Sequence, residues 1–134
     1  YNAVPADQAG VLVALPLFRS GHSKGYLFTG ISAMNTGTDP ATISLKATAA
    51  DGTVLQGQPK MTATNILANQ TVVFWPPDFT KTAGAPWNDV KKAYGSATIE
   101  STQPVVVIVN DTSRSTDLAT KTDASTYLGI KIGQ

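Results

Sequence analysis

A chain of 134 residues with ten Lys and Arg against nine Asp and Glu has room for one self-supporting core and lacks the basic stripe that nucleic acid demands. Cysteine is absent, which excludes a disulfide framework, a thiolate metal site and a cysteine nucleophile; the apolar runs at 11–15 and 105–109 are too short for a membrane span. Glu100 is the single glutamate, so exposed helix faces lack their usual residues, while abundant Thr, Val, Ile and Tyr suit pleated strands.

Residues 1–10 read as an extended lead-in broken by Pro5 and Gly10, and residues 11–134 as one domain. Val11 to Phe18 is almost continuously apolar, a strand covered on both faces, with Pro16 marking an edge or a bend. Arg19 to Gly25 is expected to be a polar loop, followed by a strand over Tyr26–Asn35 and a turn at 36–40. Ala41, Ile43, Leu45 and Ala47 alternate with Thr42, Ser44, Lys46 and Thr48, which puts the first set in the core. Asp51-Gly52 supplies positive-φ hairpin chemistry, with Val54 to Gln56 on its far side.

Met61–Ile66 and Thr71–Trp75 are two further strands, and Pro76-Pro77 ends the pairing. From Asp78 to Tyr94 the chain is irregular, with at most one short helical turn near 86–92 started by Pro86. Gly95–Ser101 alternates again, Thr102–Pro104 is expected to turn the chain, and Val105–Val109 calls for burial on both faces. Asn110–Thr122 reads as a long polar loop, after which Tyr127, Gly129 and Lys131 alternate against Leu128, Ile130 and Ile132. About seven to nine strands with regularly spaced turns describe an all-β fold, a single antiparallel β-sandwich of immunoglobulin-like or jelly-roll-like type.

The segments Leu15–Phe18, Thr29–Gly37, Pro40–Leu45, Asp51-Gly52, Ala97–Ser101 and Gln103–Val107 resemble exported bacterial β-sandwich surface modules built on a TGI-x-x-x-N-x-G, A-T-(I/V), D-G and S-x-Q-P-V-x-V pattern. A looser likeness, in the Asn-x-Gly turn and the Ser-x-Gln-Pro-Val-Val stretch, is to the sandwich of the cyanobacterial sensory rhodopsin transducer. The resemblance implies a secreted or surface protein without catalysis that acts as spacer, adhesive unit or filament subunit. In standing alone the chain is similar to the globular partner of split pilins, where a β-rich chain coats a helical one. Tyr1 in place of an initiator Met fits a mature end left by a signal peptide, so an extracellular or cell-surface location is expected.

Each candidate for chemistry has a structural reading beside it. His22 is the only histidine, and alone in a Gly/Ser loop it lacks the orienting carboxylate and nucleophile of a triad. Asp111, Asp117 and Asp123 offer oxygens to Ca²⁺, but without the spacing of a known cage they read as solvated turn residues. Glu100 on a strand fits cross-strand pairing better than a glycosidase pair. Asn69 and Asn110 open glycosylation sequons, which matter only in a glycosylating host. No catalytic, metal or cofactor residue is assigned.

Two contact surfaces are expected. Val11, Leu12, Val13, Leu15, Leu17 and Phe18 near one end of the chain, with Leu128, Ile130 and Ile132 near the other, supply strands able to complete a neighbour's sheet. Trp75, Phe79, Trp87, Asn88 and Tyr94 offer a platform for surface glycans. The leading expectation is a non-enzymatic subunit of a pilus, fibre or surface filament, self-associating or coating a pilin-like helical chain; the alternative is a carbohydrate- or ligand-binding adhesive module.

Overall fold

Buried Ala41, Ile43, Leu45, Ala47 and Ala49 occupy every second position of strand β3 (Ala41–Ala49), the period-2 pattern of a half-buried strand. The computed structural model describes residues 4–21, 27–55, 61–75, 80–82, 85–86, 94–113 and 124–133. In chain order a short 3-10 turn at Ala6–Gln8 precedes β1 (Gly10–Gly21), β2 (Leu27–Asn35), β3, β4 (Thr62–Ile66), β5 (Thr71–Phe74), β6 (Thr80–Thr82), β7 (Ala85–Pro86), β8 (Tyr94–Ser113), β9 (Ala124–Leu128) and β10 (Ile130–Gly133). All pairings are antiparallel, and β6 and β7 form a separate hairpin. The fold is an all-β sandwich.

Strand β8 is shared by both layers. Its first half lies between β1 and β3, with Ile99 opposite Val13 and Leu45. Its second half lies between β2 and β9, with Val109 opposite Ile31 and Tyr127. The first layer is therefore β10-β1-β8-β3-β4 and the second β5-β2-β8-β9. Residues of both contribute to one core cluster that includes Leu15, Phe18, Ile31, Ile43, Phe74, Ile99 and Val109.

The turn expected at Thr102–Pro104 is instead a corner within one continuous strand. Proline has no amide hydrogen, so the ladder breaks there and the chain changes partners without leaving extended geometry. The polar loop expected from Asn110 likewise begins later, because the strand runs on to Ser113. Arg19 to Gly21, also expected in a loop, continue β1. Pro16 marks a bend: the β1–β8 register slips between Leu15 and Phe18, while β1 is paired on both sides further back, Leu12 facing both Glu100 and Gly133. Thr48 bridges Val54, and Gly52 turns that hairpin at φ 86°, as Asp51-Gly52 implied. Of the helical turn expected near 86–92, Pro86 is strand and residues 87–92 lie outside the described residues.

Where the second layer ends, Asn35 is fully buried and has its hydrogen-bonding capacity met. Its Nδ2 donates to the carbonyls of Asp39 at 2.8 Å and Ile66 at 2.9 Å, and its Oδ1 accepts the Gly37 N–H at 2.9 Å. This accounts for the Asn-x-Gly spacing of the motif. Replacing Asn35 with Asp turns a carboxylate toward two carbonyl oxygens and removes both donors. Asn35→Asp is expected to lower the unfolding free energy in urea by about 3 kcal/mol.

Candidate functional site

The alternation that buries Val105, Val107 and Val109 carries Asp111 inward as well, and a carboxylate in that position requires partners. Asp111 stands directly opposite Thr29 on β2, and the Arg19 guanidinium on β1 completes the row across three strands. Arg19 donates through Nη2 to Asp111 Oδ2, while Thr29 Oγ1 donates to Asp111 Oδ1 at 3.1 Å and accepts the Arg19 backbone N–H at 2.8 Å. The Thr29 hydroxyl thus links the cation's own backbone to the anion.

Tyr127 reaches the same region from β9, half-buried against the core. Among the described residues its hydroxyl and Arg19 Nε are buried polar atoms without a hydrogen-bond partner. Burial is the main reason the phenol pKa lies above its ordinary value of 10.0. The Asp111 charge pushes the same way, and the nearby Leu17 backbone and Arg19 oppose it; the Leu17 group approaches without reaching good hydrogen-bond geometry. Chemically this is a neutralised, occupied ion pair whose carboxylate oxygens are both engaged, which suits a brace better than a base.

The brace sits at one end of the sandwich. Segments 22–26 and 114–123 both connect to strand ends at this pole, because Ser20 pairs with Phe28 and Leu27 with Ser113. Tyr94 opposite Arg19 marks where the chain re-enters the sheet after 76–93. His22, Asp117 and Asp123 lie outside the described residues, as do Phe79, Trp87 and Asn88. Among the described residues no group of three or more His, Cys, Asp or Glu side chains is placed to hold a metal ion. Glu100 accepts from Lys46 Nζ at 2.7 Å across the exposed face of the first layer.

Of the expected platform, Trp75 stacks on Phe28 with ring centroids 5.7 Å apart, and Tyr94 is exposed at its strand end. The strands expected to make contacts divide. Val13, Leu15 and Phe18 are buried in their own core, Val11 and Leu12 are half-buried, and Leu17 is exposed. Leu128, Ile130 and Ile132 are all exposed. The chain crosses between layers at Gly129, where an added Cβ would come within 2.4 Å of Val13 Cγ1, so only glycine fits the corner. The Arg19–Asp111 pair and the Phe28–Trp75 stack escaped sequence reasoning; continuing the alternation from Val105 to Asp111 is the one signal that pointed to the first.

No family model matches the chain, and no curated protein matches it. Among solved structures it is similar to the crystal structure of Thermotoga maritima 1070, at 16% identity and a TM-score of 0.59 over 91% of this chain and 94% of that one. It is also similar to the Anabaena sensory rhodopsin transducer, at 16% identity and a TM-score of 0.51 over 73% of this chain and 92% of that one. At this identity the likeness establishes the sandwich fold alone.

Asp111→Asn leaves the guanidinium without its counter-charge and is expected to cost about 2 kcal/mol in urea unfolding. Tyr127→Phe removes a hydroxyl that makes no hydrogen bond among the described residues and is expected to be neutral or stabilising by up to about 1 kcal/mol. Because the folded state holds the phenolic proton more tightly than the unfolded chain, this residue's contribution is constant below pH about 10 and is lost as pH rises through the raised folded value. Unfolding free energies measured across the alkaline range should therefore fall more steeply for the native protein than for Tyr127→Phe.

Proposed function

We propose that this chain is a non-catalytic structural subunit of an extracellular assembly such as a pilus, fibre or surface filament, joined to its neighbours through strand edges. The supporting observation is β10, which among the described residues pairs on one side only, with β1, and exposes Ile130 and Ile132 at 55% each. Edge strands of soluble monomers are normally guarded by charges, prolines, bulges or covering segments. Here Lys131 and the register slip opposite Leu12 and Val13 are the guards of this four-residue strand, and an exposed isoleucine still stands on either side of the lysine. The occupant that fits is an extended segment of another subunit, whose backbone meets the unpaired groups of β10 and whose side chains cover the isoleucines.

The test is assembly of the purified chain, followed by light scattering and negative-stain microscopy. The native protein is expected to form particles larger than dimers, and the double variant Ile130→Lys, Ile132→Lys to lose them with its circular dichroism unchanged. Identical assembly by the double variant, or a native protein that never grows beyond a dimer, would sink the reading.

One observation favours a second reading, a carbohydrate-binding module at the braced end. The Phe28–Trp75 stack lies near Gly30, where the space a side chain would occupy is open, the kind of notch that a sugar ring fills against aromatic faces. Trp75→Ala should then abolish binding on a glycan array, and a native protein that is monomeric yet binds glycan would replace the first reading.

A further inference from the structure

Glycine inside a paired strand weakens it, so its presence there calls for a cause: a positive φ, a bulge, a close neighbour, or a ligand that needs the space. The first three do not apply to Gly30 of β2. Among the described glycines only Gly52 has a positive φ. The β2–β8 register runs without a slip through Thr29–Asp111, Gly30–Asn110 and Ile31–Val109. A Cβ added at Gly30 meets no atom of the described residues within 4 Å. The fold itself therefore makes no demand for glycine at this position, which leaves the fourth cause.

What surrounds that space is chemically mixed. β5 ends with Phe74 opposite Ile31, so Trp75 leaves the strand beside Gly30, stacked on Phe28. On its other side Gly30 pairs with Asn110, and Asn110 pairs with Thr126. Directly paired residues share a face, and Asn110 and Thr126 are both exposed on it. The Thr126 hydroxyl donates to Asn110 Oδ1 at 3.0 Å, which orients the carboxamide and leaves its Nδ2 hydrogens without a partner among the described residues. We propose that this notch, with Gly30 as its floor, holds one pyranose ring of a neutral glycan. On the carbohydrate reading, on which this site rests, the Phe28–Trp75 stack takes the apolar C–H face of the ring. Asn110 offers both donor and acceptor atoms and takes a pair of adjacent hydroxyls. Strand spacing puts Asn110 about 10 Å from Trp75 across the sheet, room for a single ring. Charge sets the class of sugar: none of the outward positions at 28–34, 71–73, 106–110 and 126–128 is ionisable, and Arg19 is engaged by Asp111, so an acidic sugar finds no cation here among the described residues.

The test is a titration of the folded chain, followed by amide and indole N–H resonances, with methyl β-glucoside, methyl β-galactoside and methyl α-mannoside, and with glucuronic acid as the charged control. At least one neutral glycoside is expected to shift the signals of Gly30, Asn110 and the Trp75 indole, with a dissociation constant in the millimolar range. Gly30→Val fills the notch and is expected to weaken binding by about tenfold or more while the urea midpoint holds or rises, because a β-branched residue suits an open strand position. Asn110→Ala is expected to weaken binding by about tenfold. A lower urea midpoint for Gly30→Val shows that the fold itself requires the glycine and overturns the proposal. Binding that Trp75→Ala removes but Gly30→Val or Asn110→Ala leaves intact overturns this site and keeps the carbohydrate reading, whereas no shift with any of the three glycosides overturns both. Tighter binding of glucuronic acid overturns the assignment to a neutral sugar.

Discussion

Pro104 has no amide hydrogen to donate, and it stands where the longest strand changes partners. Up to Ser101 the strand is held by β1 and β3; from Val105, which still faces Gly10 of β1, it is held by β2, with β9 joining at Ile108. The corner is kept by the proline carbonyl, which accepts both the backbone N–H and the hydroxyl of Thr36 at 2.9 Å each. Because one strand serves both layers, its inward residues Ile99, Val105, Val107 and Val109 enter a single core cluster. A defect in that strand is felt in both layers, which is the physical basis for expecting the domain to unfold as one unit.

Buried polar groups fix the two ends of this arrangement. At the corner end Asn35 ties the turn after β2 to the end of β4, and at the opposite end Thr29 links Arg19 to Asp111. Sliding a strand by one residue would put these groups in water and leave their partners buried, so the polar atoms specify register where an apolar core alone would tolerate slippage. The braced end is also where segments 22–26, 76–93 and 114–123 join the sheets, so sequence variation there rests on a fixed base.

How much could be read from the sequence depended on the range of the signal. The strict alternation of β3 and the Asp51-Gly52 turn are local, and both stand as expected. Thr102–Pro104 misled because proline and its polar neighbours look like a turn over a few residues, and only the partners on either side reveal a corner in a continuing strand. Asp111 misled similarly, since Asn-Asp-Thr-Ser has loop composition while its alternation with Val109 has strand phase. Arg19 lies 92 residues from Asp111, and nothing near either residue announces the other. The exposure of Ile130 and Ile132 was equally invisible locally: apolar residues suggest burial, but Ile130 stands opposite Ala14, on the face of β1 turned away from buried Val13 and Leu15, and both isoleucines of this short edge strand are exposed.

The pairing of β1 also sets an order of events during synthesis. Leu12 finds its two neighbours only at Glu100 and Gly133, far along the chain, and no disulfide can hold an early arrangement in place. Until β8 and then β10 have been made, the apolar β1 waits with its hydrogen-bonding sides open. Closing such distant contacts is slow compared with forming local hairpins. A nascent chain of this design is vulnerable to sticking to its neighbours until β10 arrives, and the cell that makes it has reason to shield β1 until then.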